Sequence, residues 1–354
     1  MAGNTIGKLL TLTSFGESRG DGAGGVLDGL PAGIPIDIAF INSQLQKRRP
    51  ASRPGSTPRE ESDEVRWLSG IREGRSTGAP IAFWMAHTDV RHEARQEGVL
   101  RPSHASYTYW RKYGAFDYDG GGRASARETV VRVVGGSLAQ LLLRQQSIHI
   151  HAFTRQIGPV ALLQPTLEIN IENIAKNSLF CPDEETNRRM EDYLRQLRAE
   201  GDSTGAAVSC LVQGLPCGLG EPVYDKLQAD LAKALMSINA AKGFEYGSGF
   251  QSVAKRGSEL NDLFTTGFRT KTNFSGGIQG GISNGETVYL TVAFKPIPSI
   301  GKDQESLNEK GEACILKGGG RNDCCVAPRV VPVVEAMTAL VMADHWLRWD
   351  RSKK

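Results

Sequence analysis

The sequence predicts an α+β fold built as one large domain. Segments typical of β-hairpins are mixed with amphipathic helices, and no regular strand-helix-strand repeat connects them. No proline- or serine-rich linker and no block of like charge divides the 354 residues. With 40% hydrophobic and 23% charged residues, the composition is that of a soluble globular protein with an ample core.

The first elements follow from local pattern. Residues 6–14 are rich in Leu and Thr, and we expect them to form a strand that runs into a glycine turn. Asp37 is a possible N-cap for a helix whose apolar residues recur at helical spacing and which ends in Arg48 and Arg49. Residues 64–89 are expected to form two strands joined by a polar turn that contains glycine.

Later elements are predicted in the same way. A helix with a wide apolar face of Val and Leu is expected to begin at Ser125, directly after three glycines. The remaining predicted helices cover 183–199, 224–238 and 329–348, and the remaining predicted strands cover 206–213 and 287–295.

Composition and charge exclude several classes of protein. The net charge is only +3, so a broad nucleic-acid-binding surface is not indicated. Because the chain has no run of about 18 apolar residues and no signal-like N-terminus, we expect it to be neither membrane-spanning nor exported. The six cysteines lack paired CxxC spacing, which supports neither a metal site nor a disulfide framework, so we expect reduced thiols in the cytoplasm. Locally clustered cations favour a small polyanion as the ligand.

A glycine turn near the N-terminus contains an acid, a hydroxyl and a guanidinium. The segment "FGESRG" (15–20) matches the G-x-S-x-G nucleophile elbow of α/β-hydrolases, which requires a strand, a sharp turn and a helix. The overlapping segment "GDGAGG" (20–25) matches a dinucleotide-binding pattern that also needs a following helix. Since "DGAGGVLDG" is a poor helix start, both matches are weak. A tight glycine turn between strands is the better interpretation.

The segment "GGGRASARET" (120–129) predicts an anion cradle. Three glycines leave main-chain N–H groups free to point at one spot, and the start of the helix adds its positive end. Ser125 offers a hydroxyl, while Arg123 and Arg127 supply positive charge. Two arginines in the first turn oppose the helix dipole, which favours a bound anion over a plain loop.

Two further glycine-rich segments contain a cation. The segment "SGGIQGGISNG" (275–285) precedes a strand that ends in "AFKPIPSI" with Lys295, and "KGGGRNDCCV" (317–326) contains Arg321. Any one of these segments could be only a loop. Four such segments in one chain favour a shared pocket for one or two large anionic ligands.

His104 lies among cations and tyrosines in "RPSHASYTYWRKYG". A histidine in such a setting is more often a structural hydrogen-bonding residue than a proton donor, although its ordinary pKa permits proton transfer. Both roles therefore stay open for His104 on the sequence pattern alone.

Longer segments, taken in order along the chain, indicate a family. They include "MAGNTIGKLLTLTSFGES", "DYDGGGRASARET", "EGDSTGA", "MSINAAKGFEYGSGF", "SGGIQGGISNGE", "AFKPIPSI" and "PVVEAMTALVMADH". With ten such segments in the same order, the chain resembles the chorismate synthase family over about residues 1–346. We accordingly expect one domain over 1–346 and a polar C-terminal tail over 347–354.

The resemblance implies a flavoenzyme of the shikimate pathway, which leads to the aromatic amino acids. The family converts 5-enolpyruvylshikimate 3-phosphate to chorismate and phosphate by a 1,4-anti elimination. The reaction has no net redox change but requires reduced FMN, which is thought to lend and recover an electron. A β-α-β sandwich fold and a homotetramer are also implied. No convincing dinucleotide fingerprint supports reduction of the flavin by NADPH on this chain, so reduced FMN is expected to come from elsewhere.

The ligands implied by the resemblance agree with the motifs. A phosphorylated dicarboxylate substrate and a flavin phosphate both suit scattered arginine and glycine cradles. His104 resembles a family histidine thought to protonate or tune the reduced flavin, and Asp323 resembles an aspartate thought to assist proton removal. Ser18, Arg19 and Ser125 complete the catalytic candidates.

The binding residues are carried over position by position. The implied FMN-binding residues are Arg123, Ala124, Ser125, Asn239, Ala240, Gly280, Lys295, Pro296, Ile297, Pro298, Ser299 and Arg321. The implied substrate-binding residues are Ser18, Arg48, Arg49, Arg53 and Arg127.

Several positions depart from the family pattern. The family's opening motif is G-E-S-H-G, whose histidine is the proposed proton donor to the departing phosphate, and this chain has Arg19 instead. Arginine neutralises phosphate but does not give up a proton near neutral pH. In "GRNDCCV" the histidine and proline of G-R-H-D-P-C-V are replaced by Asn322 and Cys324. The further departures are "RPSHAS" for R-P-G-H-A-D (Ser103 and Ser106), Ala124, Phe274 and the loop after "RRP", where Pro54 stands for an arginine that is displaced to Arg53.

Two interpretations stay open at this point. In the first, the chain keeps the family's reaction and phosphate leaves as a stabilised anion; losing a general acid typically costs about 10²–10⁴-fold in rate. In the second, a catalytically altered family member binds flavin or an anionic ligand without making chorismate. A serine hydrolase that acts through Ser18 is a distant third.

Overall fold

The computed structural model describes residues 3–50, 55–57, 62–88, 96, 98–114, 121–319 and 322–352. The helices are α1 (Ile38–Arg48), α2 (Ser106–Tyr113), α3 (Thr129–Arg144), α4 (Glu184–Ala199), α5 (Leu227–Met236), α6 (Gly257–Leu260) and α7 (Val331–Ser352). The strands are β1 (Thr5–Ile6), β2 (Thr11–Gly16), β3 (Gly22–Asp28), β4 (Arg66–Trp67), β5 (Ile71–Arg72), β6 (Arg75–Ser76), β7 (Ile81–Ala86), β8 (His149–Ile157), β9 (Val160–Ala161), β10 (Ala206–Gln213), β11 (Ala241–Tyr246), β12 (Ile278–Gln279), β13 (Ile282–Ser283), β14 (Val288–Phe294), β15 (Gln304–Leu307) and β16 (Ala313–Leu316).

Two antiparallel sheets enclose a layer of helices. The strand order is β1-β2-β3-β7-β4 in the first sheet and β11-β14-β10-β8-β9 in the second. Helix α3 packs on β2 and β3 of the first sheet and on β8 of the second, while α7 packs on β8 and β10. This arrangement confirms the predicted α+β class and the β-α-β sandwich.

Helices α3 and α7 cross at a glycine in the middle of the sandwich. A Cβ atom at Gly136 would lie 2.3 Å from the Cα and Cβ atoms of Ala336, so only glycine permits this approach of the two backbones. On the neighbouring position, a Cβ at Gly135 would meet the side chain of Leu12 at 2.8 Å. The two glycines therefore bring α3 close to α7 on one side and to the first sheet on the other.

Most predicted elements are confirmed with small shifts of their ends. Asp37 caps α1 as predicted, since its Oδ1 accepts a hydrogen bond from Phe40 N at 2.9 Å. The predicted helices and strands after residue 180 correspond to α4, α5, α7, β10 and β14. The two strands expected over 64–89 are β4 and β7, which pair with each other, and the turn between them contains the short hairpin β5-β6.

The single strand predicted over 6–14 is wrong. Residues 7–10 separate β1 from β2, because the main-chain N–H groups of residues 8, 9 and 10 donate to Asp344 Oδ1 at 3.0, 2.6 and 2.9 Å. The partner is a carboxylate of α7, at the other end of the chain. The sequence pattern of residues 6–14 does not indicate this contact with Asp344.

Two predicted boundaries move. The helix expected from Ser125 starts as 3₁₀ turns over Gly122–Ala124 and Ala126–Glu128, and α3 itself begins at Thr129. The C-terminal tail expected from 347 onward begins inside α7, which runs to Ser352. None of the helices in the described part of the chain has the length and apolar content needed to span a membrane.

Sequence patterns missed α2, β3, β8 and β11. Strand β3 has three glycines in seven residues, a composition that disfavours strands when judged locally. Its antiparallel pairing with β2 on one side and β7 on the other fixes it in the sheet. A Cβ at Gly25 would lie 2.7 Å from Val131 of α3, so the glycines let the helical layer approach the sheet.

Candidate active site

A cleft of about 590 Å³ collects loops from distant parts of the chain. Its walls come from the turn after β2, the end of α1, the loop before α2, the 3₁₀ turns before α3, the loops that flank β11 and β14, and the start of α7. The volume lies in the range of small-molecule and cofactor sites. The predicted residues that line it are Ser18, Arg19, Arg48, His104, Ala124, Ser125, Arg127, Asn239, Ala240, Lys295, Ile297, Pro298, Ser299 and Asp323.

Four predicted residues do not lie on this wall. The Arg123 guanidinium lies 5.3 Å from the ring centroid of Tyr113, and its Nη1 donates to Asn4 Oδ1 at 3.4 Å. Gly280 lies in the turn between β12 and β13, where a Cβ would meet no atom within 4 Å. The other two residues are Arg49 and Pro296.

Two predicted residues, Arg53 and Arg321, lie outside the described residues. Among the positions that depart from the family pattern, Arg19, Ala124 and Asn322 line the cleft. Phe274 is 36% exposed and is not among the lining residues, while Cys324 is buried behind the wall. The departures therefore fall both on the cleft and behind it.

The "GESRG" turn connects two strands of one sheet. Gly16 at the end of β2 pairs with Ala23 of β3, and Gly20 N donates to Glu17 O at 3.2 Å. The interpretation as a tight glycine turn between strands is confirmed. Because a strand follows the turn, neither the nucleophile elbow nor the dinucleotide-binding loop is present here.

Two of the sequence motifs meet at Ser18. Ser18 N donates to Gly122 O at 3.3 Å, and Arg127 Nη1 donates to Ser18 O at 2.5 Å. Ser18 and Arg127 are both buried, and Arg19 lines the same cleft. The glycine-rich segment thus docks the opening turn, and two guanidinium groups are delivered to one region of the wall, an arrangement that suits an anion.

A buried ion pair holds Arg48 in the wall. Its Nη2 donates to Asp63 Oδ2 at 2.8 Å, with side-chain exposures of 3% and 8%. Arg49, the next residue, has its Nε at 3.7 Å from the same oxygen. Asp63 adopts a φ of 45°, a strained conformation for a residue other than glycine, which the pair with Arg48 helps to hold.

Both carboxylate oxygens of Asp323 accept hydrogen bonds. Arg329 Nη1 donates to Oδ2 at 2.5 Å, and Thr57 N donates to Oδ1 at 2.7 Å. Arg329 also donates from Nε to Arg48 O at 3.1 Å. These contacts fix the position of the carboxylate on the wall. An anchored carboxylate of this kind can act as a proton acceptor.

The sequence interpretation missed Arg329 and Thr57, which both line the cleft. Arg329 precedes the apolar start of α7, where a cation opposes the helix dipole. The same argument singled out Arg127 and, applied here, would have found Arg329. No such signal in the sequence pointed to Thr57. Its main-chain N–H bonds Asp323, and every residue except proline has such a group.

His104 has one ring nitrogen engaged by the main chain. Ser106 N donates to His104 Nδ1 at 3.2 Å, which assigns the hydrogen of the neutral ring to Nε2. Nε2 lies 3.7 Å from the position of a Cβ at Gly121, in the glycine-rich segment. The Nε2 atom of the imidazole therefore faces the side of the cleft where the glycine-rich segment lies.

Two buried oxygen atoms on the wall have no hydrogen-bond partner among the described residues. They are Asn239 Oδ1 and Thr57 Oγ1. The Asn239 amide nitrogen donates to Ala124 O at 2.9 Å, which orients the side chain and leaves its oxygen for a donor on a ligand. Buried polar atoms are nearly always paired, so such atoms at a cleft indicate where a bound molecule completes the bonding.

Lys295 and its neighbours form the opposite part of the wall. Its Nζ donates to Ser103 O, and burial, reinforced by the positive charge of Lys242, lowers the pKa of Lys295. Apolar side chains on the wall include Ile238, Ile297 and Val326. An ammonium group, an amide with a spare oxygen and apolar surface together fit a flavin with its phosphate.

Comparison with known proteins gives a consistent result. The family model for chorismate synthase matches residues 10–347. A chorismate synthase of Christiangramia forsetii is 49% identical over 355 residues, covering 100% of both chains. One of Cytophaga hutchinsonii is 50% identical over 351 residues, covering 98% of both chains. A crystal structure of chorismate synthase superposes with a TM-score of 0.77 at 26% identity, covering 97% of this chain and 93% of that chain.

Proposed function

The chain belongs to the chorismate synthase family, and we propose that the cleft described above is where it carries out that family's reaction. The reaction is the anti-1,4-elimination of phosphate from 5-enolpyruvylshikimate 3-phosphate, which gives chorismate. One observation supports the cleft as the site: it gathers Arg19, Arg48 and Arg127 with Asp323 and His104, although these residues are scattered over the whole sequence.

The arginines bind the anionic substrate. Its phosphate and two carboxylates need several cations, and guanidinium groups bind such oxygens with two parallel hydrogen bonds. The Arg127 guanidinium group is oriented by its hydrogen bond to the carbonyl of Ser18, and the Arg48 guanidinium group is oriented by its ion pair with Asp63. Arg19 supplies further charge from the opening turn. Because both aimed arginines are anchored, little ordering entropy is lost when the substrate binds.

Reduced FMN is the proposed cofactor. Ser125, Asn239, Ala240 and the segment from Lys295 to Ser299 would hold it, with the spare oxygen of Asn239 and the ammonium group of Lys295 as polar contacts. When bound, reduced FMN supplies the electron that is lent and recovered during the elimination. The apolar wall residues exclude water from the reacting groups.

Proton handling is assigned to Asp323 and His104. The Asp323 carboxylate, held by Arg329 and Thr57, accepts the proton that the substrate loses, and His104, held by Ser106 N, would tune the bound flavin. Arg19 binds the departing phosphate as an anion and does not protonate it. The chain thus stabilises the leaving group by charge at the position where the family pattern has a histidine.

The interpretation of the chain as a catalytically altered relative receives no support from the comparisons. Relatives about half identical over the full length are named chorismate synthase. The departures at Arg19 and Asn322 leave the cleft lined by cations and by the carboxylate of Asp323.

Anaerobic turnover tests the proposal. The chain is mixed with 5-enolpyruvylshikimate 3-phosphate and pre-reduced FMN, and chorismate and phosphate are measured together. We expect equal amounts of both products, and none with oxidised FMN. The proposal is contradicted if reduced FMN binds and phosphate is released without chorismate, or if neither product forms.

We further infer a homotetramer. In the segment from 250 to 268, Phe250, Phe264 and Phe268 are 76%, 69% and 90% exposed. Large exposed apolar side chains are typical of contact surfaces between subunits. Analytical ultracentrifugation tests this assembly, and a monomer at micromolar concentration contradicts it. The cytoplasmic location stays a prediction.

A further inference from the structure

Thr57 is a buried threonine on the cleft wall whose hydroxyl group makes no hydrogen bond to the described residues. The residue is 4% exposed and lines the cleft. Its Oγ1 atom is buried and has no hydrogen-bond partner in the described part of the chain. A hydroxyl group can donate one hydrogen bond and accept two, and burying it without any of them costs free energy. A molecule bound in the cleft can supply the missing partner.

The main chain holds Thr57 in place without the help of its hydroxyl group. Thr57 N donates to Asp323 Oδ1 at 2.7 Å. The preceding residue, Ser56, accepts at its carbonyl oxygen a hydrogen bond from Arg198 Nη1 at 3.0 Å. Neither contact uses the side chain of Thr57, so the hydroxyl group is not needed to fix this segment of the wall.

The contacts around Thr57 place it on the substrate side of the cleft. Asp323, which Thr57 bonds, also accepts from Arg329, and Arg329 Nε donates to Arg48 O at 3.1 Å. Among the described residues, none of the hydrogen bonds of Thr57 involves a residue assigned to FMN. The substrate has a phosphate and two carboxylates, whose charged oxygens form strong hydrogen bonds with O–H donors. The substrate is therefore the ligand that best suits this hydroxyl group.

We propose that Thr57 is a further substrate-binding residue, and that its hydroxyl group donates a hydrogen bond to an anionic oxygen of the substrate beside Asp323. Rotation about the Cα–Cβ bond exchanges the staggered positions of the hydroxyl and methyl groups, so Oγ1 meets the ligand without movement of the main chain. The hydrogen bond holds the substrate next to the carboxylate that accepts its proton. The inference rests on the proposed function, because it takes the phosphorylated dicarboxylate as the ligand.

A matched pair of variants isolates the hydroxyl group. Thr57→Val replaces it by a methyl group and keeps the main-chain N–H that bonds Asp323, whereas Thr57→Ser keeps the hydroxyl group and removes the methyl group. Calorimetric titration with 5-enolpyruvylshikimate 3-phosphate measures the substrate Kd without turnover. We expect Thr57→Val to raise this Kd about 10-fold or more, the size of a hydrogen bond to a charged group, and Thr57→Ser to stay within about 3-fold of the native chain.

Stability separates a ligand contact from a structural role. Because Thr57→Val removes a buried hydroxyl group that has no partner among the described residues, we expect the Tm of the substrate-free variant to equal or exceed that of the native chain. The Kd for FMN should change less than about 2-fold in both variants. The control is Thr338→Val, a fully buried threonine of α7 that is not among the residues lining the cleft, and its substrate Kd should not change.

Two results would overturn the proposal. Equal substrate affinity in the native chain and Thr57→Val would show that water, and not the substrate, bonds Oγ1. Weak binding that Thr57→Ser does not restore, or that accompanies a lower Tm, would mark a structural effect. A native chain that binds the substrate and makes no chorismate contradicts the proposed function alone, since the substrate Kd values still decide the role of Thr57. A native chain that binds no substrate contradicts both.

Discussion

The crossing of α3 and α7 and the rim of the cleft are built in opposite ways. At the crossing, glycine, alanine and aliphatic residues of the two helices pack closely, and the contact of Gly136 with Ala336 sets the distance between the helices. At the rim, Arg48, Asp323 and Arg329 fix the loops through ion pairs and bonds to main-chain atoms.

The difference separates what holds the fold from what serves the ligand. The interior is stabilised because its apolar side chains are removed from water, and its close packing leaves no space for additional atoms. The rim keeps partly exposed charges and atoms without partners, such as Asn239 Oδ1, that gain only when an anion or a flavin binds. Substitutions at the crossing should therefore change stability, and substitutions at the rim should change ligand affinity or rate.

The largest effect is expected at the crossing. Gly136→Ala places a methyl group 2.3 Å from Ala336, and we expect the free energy of unfolding to fall by about 1–3 kcal/mol. The sign opposes helix propensity, since alanine in an exposed helix is more favourable than glycine by about 1 kcal/mol. Urea unfolding measures the change. The control is Gly257→Ala, where a Cβ meets no atom within 4 Å. A Gly136→Ala variant that is more stable than the native chain would show that close packing does not set the helix crossing.

A smaller effect is expected at the cofactor side of the rim. Lys295→Met removes a partly buried ammonium group from the cleft wall, and we expect the Kd for FMN to rise about 10-fold, the cost of a charge-assisted hydrogen bond. Tm should change little. Fluorescence titration of FMN measures the affinity, with Lys302→Met as the control, because Lys302 pairs with Asp202 and is not on the wall. Equal affinity in all three proteins argues against the assigned flavin site.

The local sequence pattern predicted elements whose signals lie within the element. Asp37 and the apolar spacing after it defined α1, and strand composition defined β10 and β14. Long-range partners decided the rest: Asp344 of α7 interrupts the first strand, and pairing with two neighbours makes β3 a strand.

The sequence predicted part of the candidate site. Glycine segments with cations, together with the family resemblance, located half of the residues that line the wall. They did not locate Arg329 or the main-chain role of Thr57, because both act through Asp323, a contact made only in the folded chain.

The smallest effect concerns a buried histidine on α7. His345 is 1% exposed and bonds Asp230 Oδ2 at 2.9 Å; burial, helped by the charge of Arg348, lowers the pKa of His345. Because the pKa of His345 is lower in the folded protein, the unfolded chain binds a proton at this residue more readily than the folded protein does. The contribution of the neutral His345 to the stability of the fold is therefore fully present above the ordinary pKa of 6.5 and is lost as the pH falls below it.

His345→Gln should remove this part of the pH dependence. We expect the drop in Tm between neutral pH and about pH 5.5 to be on the order of 1–3 °C smaller in the variant. Thermal unfolding at the two pH values measures it, with exposed His149→Gln as the control. If the drop in Tm between the two pH values is the same in His345→Gln as in the native chain, the buried ring of His345 is not the titrating group.

Arg19 is proposed to bind the departing phosphate by charge alone, and pH–rate profiles of the native chain, Arg19→Gln and Arg19→His with pre-reduced FMN test this role. We expect the native chain to make chorismate, because a guanidinium group binds the departing phosphate as an anion. Arg19→Gln should lower kcat/KM about 10-fold or more by removing that charge, and Arg19→His should lose activity as its imidazole deprotonates above about pH 6.5. A native chain that makes no chorismate, beside an active Arg19→His variant, would contradict the account.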